Sequence, residues 1–241
     1  MYEILIILSY SLMHTIEMAS FCARVAGRIA KKPALGTTIH YSIYTGSRFF
    51  LIIILPILGY LIESGLNVKD YLNIVVISLL LMFINSLFII NRVNNLQIIF
   101  QKLFQNYSIN NLPVAIIKTV FYPSVASEYK IIEGFSHKLI SKKLFFFSFA
   151  SFIFLVNGFF IAFYFSIVYI DYRLTMSQLT AAFHGIGAVL LSFYIDPMIS
   201  RSIDNTENKQ MWLKNIYSLL LGRMAAYFVS FIFFLVLHNF S

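Results

Sequence analysis

The stretch "YEILIILSYSLMHTIEMASFCARVAGRIAKKP" occupies residues 2–33. Its first twelve residues read as the start of a membrane span. Its remainder carries His14, Glu17, Arg24 and Arg28, then Lys31 and Lys32. At 100° per residue, Glu17, Arg24 and Arg28 fall within about 40° of one another on a helix, with His14 about 60–80° away. The first span therefore has one polar stripe, running from mid-membrane to a basic mouth. A charged stripe facing lipid is costly, so the stripe is expected to face protein or water.

The rest of the chain supports a membrane reading. Its 241 residues are 59% hydrophobic and 12% charged, with 26 Phe and 15 Tyr. A soluble domain carries about a quarter charged residues. Stretches of about 20 apolar residues, the length needed to cross a bilayer, recur near 2–23, 37–61, 71–90, 144–170, 176–194 and 211–237. These predict an all-α polytopic membrane protein of about six spans, forming a single transmembrane domain over residues 1–241. The opening "MYE" is acidic and no small-residue cleavage site follows, so the first helix is expected to be retained. The single Cys22 excludes an internal disulfide and reads as a small buried residue.

Lysines and arginines are distributed unevenly. They concentrate at 24–32, at 92–143 and at 201–214, whereas the opposite connections hold Lys69 and Arg173. The bias predicts three cytoplasmic loops and both termini outside. It also accounts for most of the net charge of +8 without nucleic acid. The segment 93–142 is amphipathic. In "VNNLQIIFQKLFQNY" the residues Leu96, Ile99, Phe100, Leu103 and Phe104 share a face, with Gln97, Gln101 and Gln105 elsewhere. "LPVAIIKTVFYP" and "YKIIEGFSHKLISKK" repeat the theme. Two placements stand: interfacial helices on the cytoplasmic surface, or an extension of the third span.

Arg48 and Arg223 fall near the middle of the second and sixth spans. Each costs about 2.5–3.5 kcal/mol at that depth. Acids are scarce there: Glu17 is one, and Asp196 stands near the cytoplasmic end of the fifth span. The pattern predicts an electropositive cavity facing an anion, with structural ion pairing as the alternative. His14 reads either as a helix-packing hydrogen-bond partner or as a proton relay. Glycines accompany these positions in "AGR" (26–28), "TGSR" (45–48), "HGIGA" (184–188) and "LGR" (221–223), which suits close helix approach or local unwinding. The order His14, basic loop, Arg48 resembles His184, basic loop, Arg223, as parallel halves would.

Enzyme signatures are missing. "HTIE" is not a zinc-protease motif, "GFSH" (134–137) lacks the nucleophile-elbow context, and "YIDP" supplies one aspartate where a dyad needs two. No phosphate-binding loop and no metal-spaced cluster occurs, so neither a cofactor nor a metal is expected.

The stretch 14–50, "HTIEMASFCARVAGRIAKKPALGTTIHYSIYTGSRFF", resembles the Amj family of bacterial lipid II flippases, the alternate to MurJ. "AFHGIGAVLLSFYIDPMIS" (182–200) is similar to the penultimate helix of that family and "LGRMAAYF" (221–228) to its last. Residues 70–170 match by length and hydropathy alone. The resemblance implies a bacterial inner-membrane protein that moves undecaprenyl-pyrophosphate-linked disaccharide pentapeptide between leaflets. Forked guanidinium hydrogen bonds suit a pyrophosphate. The expected roles are recruitment by Arg24 and Arg28 at the cytoplasmic mouth and holding by Arg48 and Arg223 at mid-membrane. Glu17, with His14, would compete for those arginines and release the anion. His184 and Asp196 would form a second polar ladder, and a homodimer would complete the cavity for so large a head group. Two rivals stay open: a transporter of another lipid-linked or small anion, and a scaffold whose polar residues only join helices.

Overall fold

The structure, a computed structural model, describes residues 1–121, 140–205 and 207–240. Among them every regular element is helical. Six helices are long and apolar enough to cross a membrane: Tyr2–Ile29, Pro33–Glu63, Val68–Asn91, Lys142–Val168, Ile170–Asn205 and Lys209–Phe240. The expected all-α class and its six spans hold. Several spans run further than their hydropathy suggested: the helices continue past the apolar stretch into polar ends, exposed at Glu63, Lys142 and Lys209 and buried at Arg24.

The first span is α1 (Tyr2–Ser20) followed by α2 (Cys22–Ile29). They are separated at Phe21, where the Arg24 amide donates to the Phe21 carbonyl at 3.2 Å, three residues back rather than four. α2 ends in a tight left-handed turn. Lys31 has φ 57° and the Lys32 amide returns to the Gly27 carbonyl at 2.7 Å, a closure that satisfies the last carbonyls of a helix. Pro33 then opens the second span at a position where its missing N–H costs nothing.

The second span is α3 (Pro33–Ser47) and α4 (Phe49–Glu63), interrupted at Arg48 by another three-residue bond, Arg48 amide to Thr45 carbonyl at 3.1 Å. Gly65, at φ 91°, turns the chain, and Asn67 caps α5 (Val68–Asn91) by accepting from the Asp70 amide at 2.8 Å. After a break at Arg92 come α6 (Val93–Tyr107) and α7 (Leu112–Phe121). The segments quoted from 129 onward, "GFSH" included, lie largely outside the described residues.

The fourth span is α8 (Lys142–Val168). The fifth comprises a short 3-10 turn, α9 (Arg173–Leu190), a π-helical stretch at Leu191–Ile195 and α10 (Asp196–Asn205). The wide turn precedes Pro197, whose ring would collide with the carbonyl four residues back in a regular helix. The sixth span, α11 (Lys209–Phe240), is unbroken.

Packing makes a chain of neighbours. α1 lies against α3, α4 and α5; α5 lies against α11; α11 lies against α8; and α8 lies against α9. The order is second, first, third, sixth, fourth, fifth span. Its two ends, the second and fifth spans, face each other across a seam. α6 packs on α2. Phe100, Leu103 and Phe104 are buried and Leu96 packs against the core, so the expected apolar face does turn to the protein. Ile99 alone departs from it, at 45% exposed, and the buried side is widened by Gln97 and Gln101.

Candidate functional site

The charged residues gather in two clusters rather than one stripe. The first is centred on Glu17, which α1 buries almost completely. Arg223 of α11 donates from Nη2 to Glu17 Oε2 at 2.8 Å, and Arg48, at the break in the second span, reaches Glu17 Oε1 at 3.1 Å. His14, one turn earlier, places Nδ1 3.4 Å from Glu17 Oε2 and 3.0 Å from Arg223 Nη2. Ser47 Oγ also donates to Glu17 Oε1, at 3.4 Å. One carboxylate thus bridges two guanidinium groups from different spans.

This corrects the expectation of an open electropositive cavity. The protein's own carboxylate faces both arginines. The physical reason is desolvation: a guanidinium at bilayer depth without a counter-charge is far more costly than a paired one. The pairing is unequal, however. Two cations face one anion, and Arg48 remains 24% exposed while Arg223 is sealed. Arg223 Nη1 and His14 Nε2 find no hydrogen-bond partner among the described residues.

Each arginine also has a tyrosine one turn away. Arg48 Nη2 donates to Tyr44 Oη at 2.6 Å and its guanidinium carbon lies 4.8 Å from that ring's centre. Arg223 donates from Nε to Tyr227 Oη and lies 4.1 Å from the centre of the Phe152 ring. The aromatic faces stabilise the cations where water cannot. The motif reading missed Tyr44, Tyr227 and Ser47. The four-residue spacing Tyr44–Arg48 and Arg223–Tyr227 was available to find the two tyrosines. In space His14 of the first span meets Arg223 of the last.

The second cluster joins three spans. Arg24 Nη1 binds Asp196 Oδ1 at 2.7 Å and its Nη2 donates to Ser200 Oγ at 2.7 Å. Tyr41 of α3 donates to Asp196 Oδ2 at 2.8 Å. Arg24 was expected at an open mouth, yet it is 1% exposed, because α2 continues to Ile29 and carries it inside the bundle. Arg28 is half-buried, its guanidinium carbon 5.5 Å from the centre of the Trp212 ring. The tightened turn at Phe21 interrupts the stripe, so Glu17 and Arg24 belong to different clusters. His40, also missed, is buried beside them with Nδ1 2.9 Å from Ser20 Oγ.

The expected ladder of His184 and Asp196 does not form. They stand twelve residues apart on one span, roughly 18 Å by helical rise. Asp196 binds Arg24 and Tyr41, whereas His184 bonds the Thr180 carbonyl at 3.0 Å. His184 instead lines a cleft of about 320 Å³ with Leu51 and Leu55 of α4, Phe159 and Phe163 of α8, and Ser177, Gln178 and Thr180 of α9. A second cleft of about 210 Å³ shares Phe163 and Ser177 with the first and continues to Glu63 and Arg173.

Three of the flagged glycine positions, Gly27, Gly187 and Gly222, hold helices in contact. A Cβ on Gly27 would come within 2.7 Å of Gly36 Cα, and one on Gly222 within 2.5 Å of the Phe145 carbonyl. Gly46 and Gly185 have open space around them.

Six membrane-length helices around a buried Glu–Arg–Arg node define a polytopic helical membrane protein with charge held at mid-span. The chain belongs to the Amj family, described as Alternate to MurJ, whose family model matches residues 10–236. No curated protein and no solved structure matches it.

Proposed function

We propose that the protein is a lipid II flippase of the bacterial inner membrane, with the Glu17–Arg48–Arg223 node as its anion site. The observation carrying this reading is the imbalance of that node. Two arginines share one carboxylate, and Arg48, one turn before the cleft-lining Leu51, is still partly exposed. An entering pyrophosphate would displace Glu17 from Arg48 and take the forked donors. The returning carboxylate would then release it. Exchange of one anion for another keeps each arginine in contact with an anion throughout, which alternating access through a low-dielectric core favours. His14 sits where it can stabilise either arrangement by hydrogen bonding.

Arg24 and Asp196 act in this reading as a contact between spans, and Arg28 as a surface cation near the same end. The concentration of basic residues near that end supports a cytoplasmic side there, with both termini outside. A cleft of about 320 Å³ is too small to enclose a disaccharide pentapeptide. The head group would therefore travel along a widened seam, and a second copy of the chain would help to line it.

Cells lacking their own lipid II flippase test the assignment. The native chain should restore growth and the exposure of lipid II head groups on the outer leaflet. Arg48→Lys, which keeps charge and loses the fork, should fail to restore it at normal protein abundance. The closed ion pairs favour one rival, a non-transporting scaffold. That rival predicts lowered abundance for Arg48→Ala, with no separate loss of flipping.

A further inference from the structure

We propose that the seam between the second and fifth spans binds the hydrocarbon chain of an anionic lipid from one leaflet only. The inference rests on the lipid-translocation reading and assigns it a path. Around the bundle, neighbouring spans pack closely except here, where α4 and α9 barely touch. The two clefts described above join end to end along this gap. Leu51 and Leu55 form one wall, Phe159 and Phe163 the floor, and Ser177, Gln178 and Thr180 the other wall. Leu55 is 41% exposed and Leu174 is 76% exposed, so the groove opens toward the flank of the bundle.

Length and charge argue for a lipid chain. The groove runs along α9 from Arg173 to His184, roughly 16 Å at the rise of a helix. One leaflet's hydrocarbon is about 15 Å deep, half of the 30 Å core. The apolar floor suits methylene or prenyl groups. A guanidinium stands toward each end: Arg173 at the mouth, where Glu63 also lines the groove, and Arg48, shared with Glu17, one turn before the lining residue Leu51 at the inner end. Arg173 Nε is buried there without a hydrogen-bond partner among the described residues. An anionic head group therefore meets a cation both on entry and at mid-membrane.

The other half of the same seam is shut. Asp196 of the fifth span holds Arg24 of the first and Tyr41 of the second through bonds of 2.7 and 2.8 Å. This cluster acts as a latch. It closes the seam toward one leaflet while the groove stands open to the other, which is the asymmetry an alternating translocator needs.

Tryptophan quenching in oriented vesicles tests the proposal. In a Trp212→Phe background, Phe163→Trp and, as a second reporter, Phe159→Trp report on the floor of the groove; Phe234→Trp, in the core, is the control. The probe is phosphatidylglycerol brominated in its chains and confined to one leaflet. Both groove reporters should lose most of their emission when the brominated lipid lies in the leaflet at the Glu63–Arg173 end, and little when it lies in the other. Replacing the latch by Arg24→Gln with Asp196→Asn should admit quenching from both leaflets. Groove reporters quenched no more than Phe234→Trp would overturn the chain site. Equal quenching from either leaflet with the latch intact would overturn the one-sided seam. Failure to rescue flippase-deficient cells, with quenching as expected, would remove lipid II as the cargo and leave the groove standing.

Discussion

At Glu17 a single carboxylate holds two guanidinium groups from spans that are distant in sequence. Removing the charge leaves two cations at bilayer depth, so Glu17→Gln should lower stability by about 3–5 kcal/mol. The drop should be visible as reduced protein abundance and as earlier unfolding in detergent. Arg223 is sealed and Arg48 is not, so the rescue should be selective. Glu17→Gln combined with Arg223→Met should recover a large part of the loss, whereas the pairing with Arg48→Met should recover less. Equal rescue by both would mean that the two arginines are interchangeable. The sequence made Glu17, Arg48 and Arg223 conspicuous because charge at membrane depth is costly wherever it falls. Pairing of the arginines with Glu17 stood as an alternative, but the sequence could not choose it, since depth along three helices says nothing about rotation. Arg24 and Asp196 show the same limit, because a bond between residues so far apart in sequence depends on how whole spans are arranged.

At the scale of elements, small residues set how closely the helices approach. Gly222 of α11 faces the backbone of α8, where an added Cβ would come within 2.5 Å of a carbonyl oxygen that cannot rotate away. Gly222→Ala should therefore destabilise the pair by about 1–3 kcal/mol through overpacking. Gly185→Ala, with nothing within 4 Å, should leave thermal stability unchanged or slightly raised. A thermal-shift comparison of the two variants checks this, and similar losses at both positions would contradict the packing. The glycines were readable in sequence as a group, but only contact geometry separates Gly222 from Gly185. The breaks at Phe21 and Arg48 had no proline at either position to announce them. In α6 the apolar pattern found Phe100, Leu103 and Phe104, but not that Gln97 and Gln101 are buried beside them while Ile99 is exposed.

Over the whole molecule, span number and charge bias followed from composition, while the seam did not. Hydropathy marks which helices enter the membrane and is silent on where two of them part along their length. Orientation ties the seam to a leaflet. Positive residues concentrate at the ends reached by α2, α8 and α10, and moving them across the bilayer is unfavourable. Cysteines at Ser64 and Asp171, both exposed, should therefore react with an impermeant maleimide on intact cells. Cysteines at Lys32 and Glu207, exposed on the opposite side, should react only after the cells are opened. Native Cys22 is buried and gives little background. With that result the open groove, which ends at Glu63 and Arg173, faces the outer leaflet and the Arg24–Asp196–Tyr41 latch guards the inner one. The reverse labelling would place the groove in the cytoplasmic leaflet, so the resting protein would be poised to accept lipid rather than to release it.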